Sequence, residues 1–296
     1  MVPATVHVPV LPKEILEICK PQPGTDWIDG TAGGGGHANL IAEQLKPMGR
    51  LLALDRDPVA VKLLASVLPD NCLIKNDSYD RIPQILLEVG WQGTDGILLD
   101  LGLSSDQLAD RSRGFSFQES DAILDMRFDM STGETVAEWL QYADEKEIAD
   151  VIYHFGEERF SRRIAKRIVY ERKASPIKKV ADLRELIYRS VPGGRRKQGR
   201  IDPATRTFQA LRIFINDELA ILRRALEVLP NCLQPGGYLA IISFHSLEDR
   251  MVKYAFRSSP ILEVVTRKPV QASDIEVASN NRARSAKLRV ARRLSN

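Results

Sequence analysis

Cysteine is scarce in this sequence. Cys19, Cys72 and Cys232 are the only three in 296 residues, far apart and with no CxxC pair. An odd, scattered set argues against a disulfide framework and a structural zinc site. A reducing compartment is expected. Long apolar runs are missing too: Gly237 to Phe244, among the longest, falls far short of the ~20 residues a membrane helix needs. The opening residues Met1 to Pro9 lack a basic stretch and carry prolines, which argues against a signal peptide. The expectation is a cytoplasmic protein without a membrane partner. Repeats and low-complexity segments are also absent. With 44% hydrophobic and 27% charged residues and a mean hydropathy of −0.21, the composition excludes a mostly disordered or collagen-like chain.

No overall excess of one charge stands out, since the formal net charge is only +3. The distribution says more. Six basic residues and no acid lie between Asn280 and Asn296, and Arg195-Arg196-Lys197-Gln198-Gly199-Arg200 forms a second basic knot. Clustered cations point to a polyanion, although a solvated tail and loop would look the same.

The first hundred residues alternate strand and helix signals. Asp26 to Asp29, Arg50 to Asp55, Cys72 to Lys75 and Gly96 to Asp100 read as strands. Helical patterns separate them, one opening at Pro58 and one running from Ile82 to Val89. Such βαβ units predict a parallel sheet. From Ser104 to about Arg212 the rhythm breaks and no buried strand is expected. Thr135 to Glu138 has the form of a capping box. Asp144 to His154 and Asp182 to Val191 read as helices. So does the stretch around Phe160, Ile164 and Ile168, whose other positions carry Arg159, Arg162, Arg163, Lys166 and Arg167. The pattern then resumes with one long helix over Phe208 to Leu229, a turn at Pro235-Gly236-Gly237 and a strand from Tyr238 to Phe244. Ser246 is expected to cap the next helix, and Ile261 to Thr266 and Lys287 to Ala291 to form late strands. The fold class is α/β: residues 1–103 and 212–296 form one domain, and 104–211 form an inserted all-helical domain.

Asp29-Gly30-Thr31-Ala32-Gly33-Gly34-Gly35-Gly36-His37 is the strongest local signal. A glycine-rich turn after the first strand of a parallel sheet lets a ligand touch backbone. Asp55 ends the second strand about twenty residues past the last glycine, where a carboxylate can accept both ribose hydroxyls of a nucleoside. Gly33, Gly35 and Ala38 satisfy G-x-G-x-x-A, so a dinucleotide stays open at this point. S-adenosylmethionine is favoured because Asp29 can engage a cationic amino-acid group and Asp77-Ser78-Tyr79 can flank an adenine. Asp100 ends the fourth strand at the edge where α/β sheets bind ligands. Ser243-Phe244-His245-Ser246 brings a hydroxyl, a ring and an imidazole to that edge, which suits a flipped base. His37 and His245 fall in no metal-ligand spacing, so no metal is expected.

Longer motifs run through the chain. They include His7-Val8-Pro9-Val10-Leu11, Leu54-Asp55-Arg56-Asp57-Pro58, Ser104-Ser105-Asp106-Gln107-Leu108, Arg113-Gly114-Phe115-Ser116-Phe117 and Leu124-Asp125-Met126-Arg127. Pro203 to Arg212, Ile242 to Arg250 and Arg282 to Arg289 continue the series. With these the chain closely resembles the ribosomal small-subunit methyltransferase H family, of the MraW type. These are the S-adenosylmethionine-dependent 16S rRNA cytosine N4-methyltransferases. The resemblance covers nearly the whole chain. It implies a Rossmann-like class I methyltransferase sheet with an inserted helical substrate-recognition domain. It also implies S-adenosyl-L-methionine contacts at Gly35, Gly36, His37, Asp55, Tyr79, Asp100 and Gln107. Tyr79 stands where some relatives have Phe, and an aromatic role survives there. The implied substrate is a decoding-centre cytidine of 16S rRNA in the small ribosomal subunit. A homodimer is left open. The common amino-methyltransferase signature after strand four, Asp/Asn/Ser-Pro-Pro-Tyr/Phe, is replaced here by Asp100-Leu101-Gly102-Leu103. Asp100, His245 and Ser243 are therefore the catalytic candidates. The basic insertion helix, Arg195 to Arg200 and the C-terminal tail are candidates for phosphate contacts.

Overall fold

The computed structural model describes residues 8–295 apart from 111, 119, 120 and 194–201. The chain divides into two compact units: Met1–Asp106 with Leu219–Asn296, and Gln107–Glu218. In chain order the elements are α1 (Pro12–Cys19), β1 (Asp26–Asp29), α2 (Gly36–Leu45), β2 (Arg50–Asp55), α3 (Pro58–Val67), β3 (Cys72–Asn76), α4 (Ile82–Glu88) and β4 (Thr94–Asp100). Six helices follow: α5 (Ser105–Ala109), α6 (Val136–Tyr142), α7 (Glu145–Gly156), α8 (Ser161–Glu171), α9 (Val180–Ser190) and α10 (Ala204–Ile215). The chain ends with α11 (Glu218–Cys232), β5 (Leu233–Ser243), α12 (Ser246–Ser258), β6 (Leu262–Val264), α13 (Asp274–Ser279) and β7 (Lys287–Arg293).

The sheet order is β3-β2-β1-β4-β5-β7-β6. The first five strands are parallel, while β7 runs antiparallel to both β5 and β6. Successive side chains of a strand point to opposite faces. Leu51 and Ala53 of β2 therefore enter one core with Trp27, Ile41 and Leu64. Leu52 and Leu54 enter the other, with Ile82, Leu222 and Phe256. A sheet covered on both faces needs apolar residues at every position, which is why its strands read as continuous apolar runs.

In the helical unit Thr135 caps α6 in the expected capping box with Glu138. Trp139 and Phe214 meet with ring centroids 4.6 Å apart. The boundary lies at Glu218 rather than at 211, because α10 packs on α7 and belongs to the helical unit.

Several expectations need correction. The long helix over Phe208 to Leu229 is two helices, broken at Asp217, whose φ is 53°. Buried Asn216 stops the first of them: its side chain accepts from Phe128 N at 2.7 Å and donates to Met126 O at 2.7 Å. Arg212 then pairs with Glu218 across the break. The Pro235-Gly236-Gly237 turn is a bulge inside β5, where Gln234 to Gly237 face the single residue Asp95. The cap of α12 is His245, not Ser246. The C-terminal basic run is not a free tail: Arg282 and Arg284 lie in a short helical turn, and the strand expected at Lys287 to Ala291 is present as β7, with Arg289 buried against Asp249 at 2.7 Å. The Arg195 to Arg200 knot lies outside the described residues. No helix among them is long and apolar enough to cross a membrane.

Candidate active site

The carboxyl ends of β1, β2 and β4 lie side by side, and each ends in an aspartate: Asp29, Asp55 and Asp100. Ligands bind at this edge of a parallel sheet. The backbone after β1 is held tightly. Gly30 N donates to Leu98 O at 2.9 Å, and a Cβ there would stand 2.5 Å from Leu99 Cδ2 and 3.0 Å from Tyr79 Cβ. A larger residue there would have to push the Leu99 side chain aside. Thr31 links two strand ends: its amide donates to Asp29 Oδ1 at 3.1 Å, and its hydroxyl accepts from Asp100 N at 2.6 Å. Asp55 accepts from Gly33 N and from Asp57 N, both at 2.8 Å. The loop then enters α2 through Gly35, at φ 83°. No side chain caps α2, and its first turn carries no acid. Its amides and the positive end of its dipole suit a ligand carboxylate.

Electrostatics single out this edge. Burial pushes the Asp29 carboxyl up to about 7; the Thr31 amide opposes the shift, while nearby Asp100 and Asp55 add to it. Burial likewise raises Asp55 to about 6, against the Asp57 and Gly33 amides. Asp29 Oδ2 is buried without a hydrogen-bond partner, and so is Ser78 Oγ. The carboxylate oxygen calls for a donor, and the hydroxyl for a partner of either kind. His37 is held down to about 4 by burial, against the Val10 carbonyl that favours its charge, with Arg282 lowering it further. Its Nε2 lies 2.8 Å from Val10 O, so Nε2 carries the proton. Nδ1 then faces Asp100 Oδ2 at 3.6 Å as a second acceptor. Two acceptors at that spacing form a cradle for a donor group.

The structure thus brings Gly35, Gly36, His37, Asp55 and Asp100 to one edge of the sheet. Tyr79 is buried beside Gly30, in the turn after β3. Gln107 lies on α5 in the helical unit and is buried there. The other two catalytic candidates lie at the neighbouring strand end. Ser243 is buried in the sheet, and its hydroxyl donates to Lys287 O at 3.4 Å. His245 caps α12: Nδ1 accepts from Glu248 N at 3.4 Å, and Nε2 lies 3.1 Å from Glu248 Oε1. The Glu248 carboxylate also accepts from Phe244 N at 2.8 Å. This cap therefore holds the backbone of Phe244, whose ring is half-buried. Arg282, which the sequence places in a basic run and in a family motif without a role at the site, donates to Leu103 O and lies 5.7 Å from the Phe244 ring. Only folding reveals that position. The signal for Asp29 was its place directly before the glycines.

This strand order, with acids ending β1, β2 and β4, defines a class I methyltransferase, whose cofactor is S-adenosylmethionine. A model described as the MraW methylase family matches residues 4–294, and the chain belongs to that family. A ribosomal RNA small subunit methyltransferase H from Rhodopirellula baltica is 50% identical over 98% of this chain and 92% of that relative. One of the same description from Syntrophotalea carbinolica is 46% identical over 97% of this chain and 98% of its own length. Among solved structures, a SAM-dependent methyltransferase from Aquifex aeolicus is a distant likeness, at 11% identity and a TM-score of 0.43 over 96% of this chain and 90% of that one. The family removes the dinucleotide alternative. The residues also fit the cofactor: unpaired Asp29 Oδ2 and the His37–Asp100 pair suit its cationic groups, Asp55 its ribose, and the open end of α2 its carboxylate.

Proposed function

We propose that this chain transfers the methyl group of S-adenosylmethionine to N4 of a decoding-centre cytidine of 16S rRNA in the small ribosomal subunit. The observation that carries this reading is the match, along nearly the full chain, to relatives described as ribosomal RNA small subunit methyltransferase H. When bound, the cofactor supplies an electrophilic methyl on a good leaving group. The chain's own task is alignment, because the cytosine amine is a poor nucleophile whose lone pair is spread into the ring. Holding two reactants in line is worth at most about 7–11 kcal/mol. Asp100 accepts an N–H of the amine, orients its lone pair and takes the proton that N4 loses as its new N–C bond forms. Phe244, whose backbone amide is held by Glu248, offers a stacking face for the extruded base. Ser243 and His245 support this edge rather than react. The helical unit serves substrate recognition in this reading.

The test is transfer of labelled methyl to small subunits from a strain lacking the enzyme, with naked rRNA in parallel and the product nucleoside identified by mass spectrometry. N4-methylcytidine on subunits is the expected product. No incorporation into either, with cofactor binding confirmed, would overturn the proposal.

A further inference from the structure

The helical unit carries a pocket of about 420 Å³ between α8 and the end of α9, lined by Arg163, Lys166, Arg167, Tyr170, Arg189 and Ser190. Four of the six side chains are cationic, and no acid lines it. The first four residues stand at i, i+3, i+4 and i+7, one face of a helix. This face is not needed by the core, because Ile164, Ala165 and Ile168 bury the opposite one. Arg167 is held by Glu171 at 3.2 Å and Arg189 by Glu185 at 2.8 Å. These pairs fix two guanidinium groups at the rim without supplying a ligand. Tyr170 is 73% exposed, a large ring with nothing of the core around it. Arg162 and Arg159 extend the positive surface on the same stretch and are exposed.

We infer that this pocket grips the sugar–phosphate backbone of RNA, with Arg163, Lys166, Arg167 and Arg189 on phosphate oxygens and the Tyr170 ring under an unstacked base. The chemistry favours RNA over an acidic protein surface. A concave set of cations beside an exposed aromatic ring matches phosphates alternating with bases, and stacking on such a ring is worth ~1–3 kcal/mol per base. Arg forks fit phosphate oxygens two at a time. The assignment rests on the rRNA-methylating reading above. It adds a second contact on the substrate, made by the helical unit, that positions it without reading sequence.

The test uses the full chain with Arg163→Ala, Lys166→Ala and Tyr170→Ala combined. All three side chains are exposed, so the fold should survive, and unchanged circular dichroism and cofactor affinity would confirm it. Binding to a short fluorescent single-stranded RNA is followed by anisotropy across a salt series, and methyl transfer to small subunits is measured in parallel. The expected result is at least tenfold weaker RNA binding. The slope of log affinity against log salt should fall by about 1.4, for two lost phosphate contacts on a single strand. KM for subunits should rise while kcat holds within about twofold. Unchanged RNA affinity and slope would overturn the inference. If KM for subunits rises while RNA binding does not change, the pocket docks a protein of the subunit, and the RNA assignment fails. If the wild-type chain methylates nothing, the functional reading fails, and anisotropy still decides the pocket.

Discussion

Asp55 Oδ2 accepts the Gly33 amide at 2.8 Å and so ties the end of β2 to the glycine loop that follows β1. Its other oxygen takes the Asp57 amide at 2.8 Å. One carboxylate thereby shapes the loop and keeps further lone pairs for ribose hydroxyls. Asp55→Ala should raise the Kd for S-adenosylmethionine at least tenfold, about 1.4 kcal/mol. It should also lower Tm, because each amide left without a partner costs about 1–3 kcal/mol. Calorimetric titration and a melting curve check both. An unchanged Kd would remove Asp55 from the binding site.

Asp29 sets a pH dependence. Its folded value is raised from 3.8 to about 7, and that of Asp55 to about 6. Between the unfolded and folded values the native state holds protons that the unfolded chain has lost. The contribution to cofactor-free stability is therefore full below about pH 4 and lost as pH rises through 6 to 7, at about 1.4 kcal/mol per pKa unit. His37, lowered from 6.5 to about 4, acts in the opposite sense over that interval. Asp29→Asn separates the two: the variant should lose less stability between pH 4 and 7 than the wild type. Wild-type cofactor affinity should rise across pH 6 to 7, as ionised carboxylates meet a cation. A flat affinity profile would contradict the assignment.

Gly30→Ala tests the close approach beside the site. The new methyl group would meet Leu99 Cδ2 at 2.5 Å and the Tyr79 Cβ at 3.0 Å. Overpacking of this kind costs about 1–3 kcal/mol. Tyr79 should shift and cofactor affinity should fall with stability. A variant with normal Tm and Kd would show that the gap is wider than described.

His245→Ala and His245→Asn distinguish a helix cap from a general base. Loss of the cap should cost about 1 kcal/mol, and asparagine should restore most of it because it caps well. Removing a general base typically costs 10²–10⁴ in rate. The expected outcome is a kcat within tenfold of wild type for His245→Asn. A hundredfold loss would return His245 to the chemistry.

Much of the site was legible because parallel sheets bind ligands in one place. A glycine-rich turn after one strand and an aspartate ending the next are local patterns, and Asp29, Gly35, Gly36 and Asp55 could be read from them. For His245 and Ser243 the sequence shows side-chain chemistry and not its partners. In the fold His245 Nδ1 accepts from the Glu248 amide, and the Lys287 carbonyl accepts from the Ser243 hydroxyl. Arg282 lies over 240 residues from His37 in the chain and yet lowers its affinity for a proton.

By itself the sequence determined the alternation of strands and helices, the helical insertion and the family. Those depend on short-range apolar periodicity, turn chemistry and motif spacing. A strand over Lys287 to Ala291 was legible as well, and tertiary structure alone decided its place: as β7 it runs antiparallel beside β5, and Arg289 is buried on Asp249. It also decided that the helix begun at Ala204 stops at Asn216, whose amide is claimed by the Met126 and Phe128 backbone some ninety residues away. In both cases a backbone or charged group is satisfied by a distant partner, and local propensity carries no trace of such a bond.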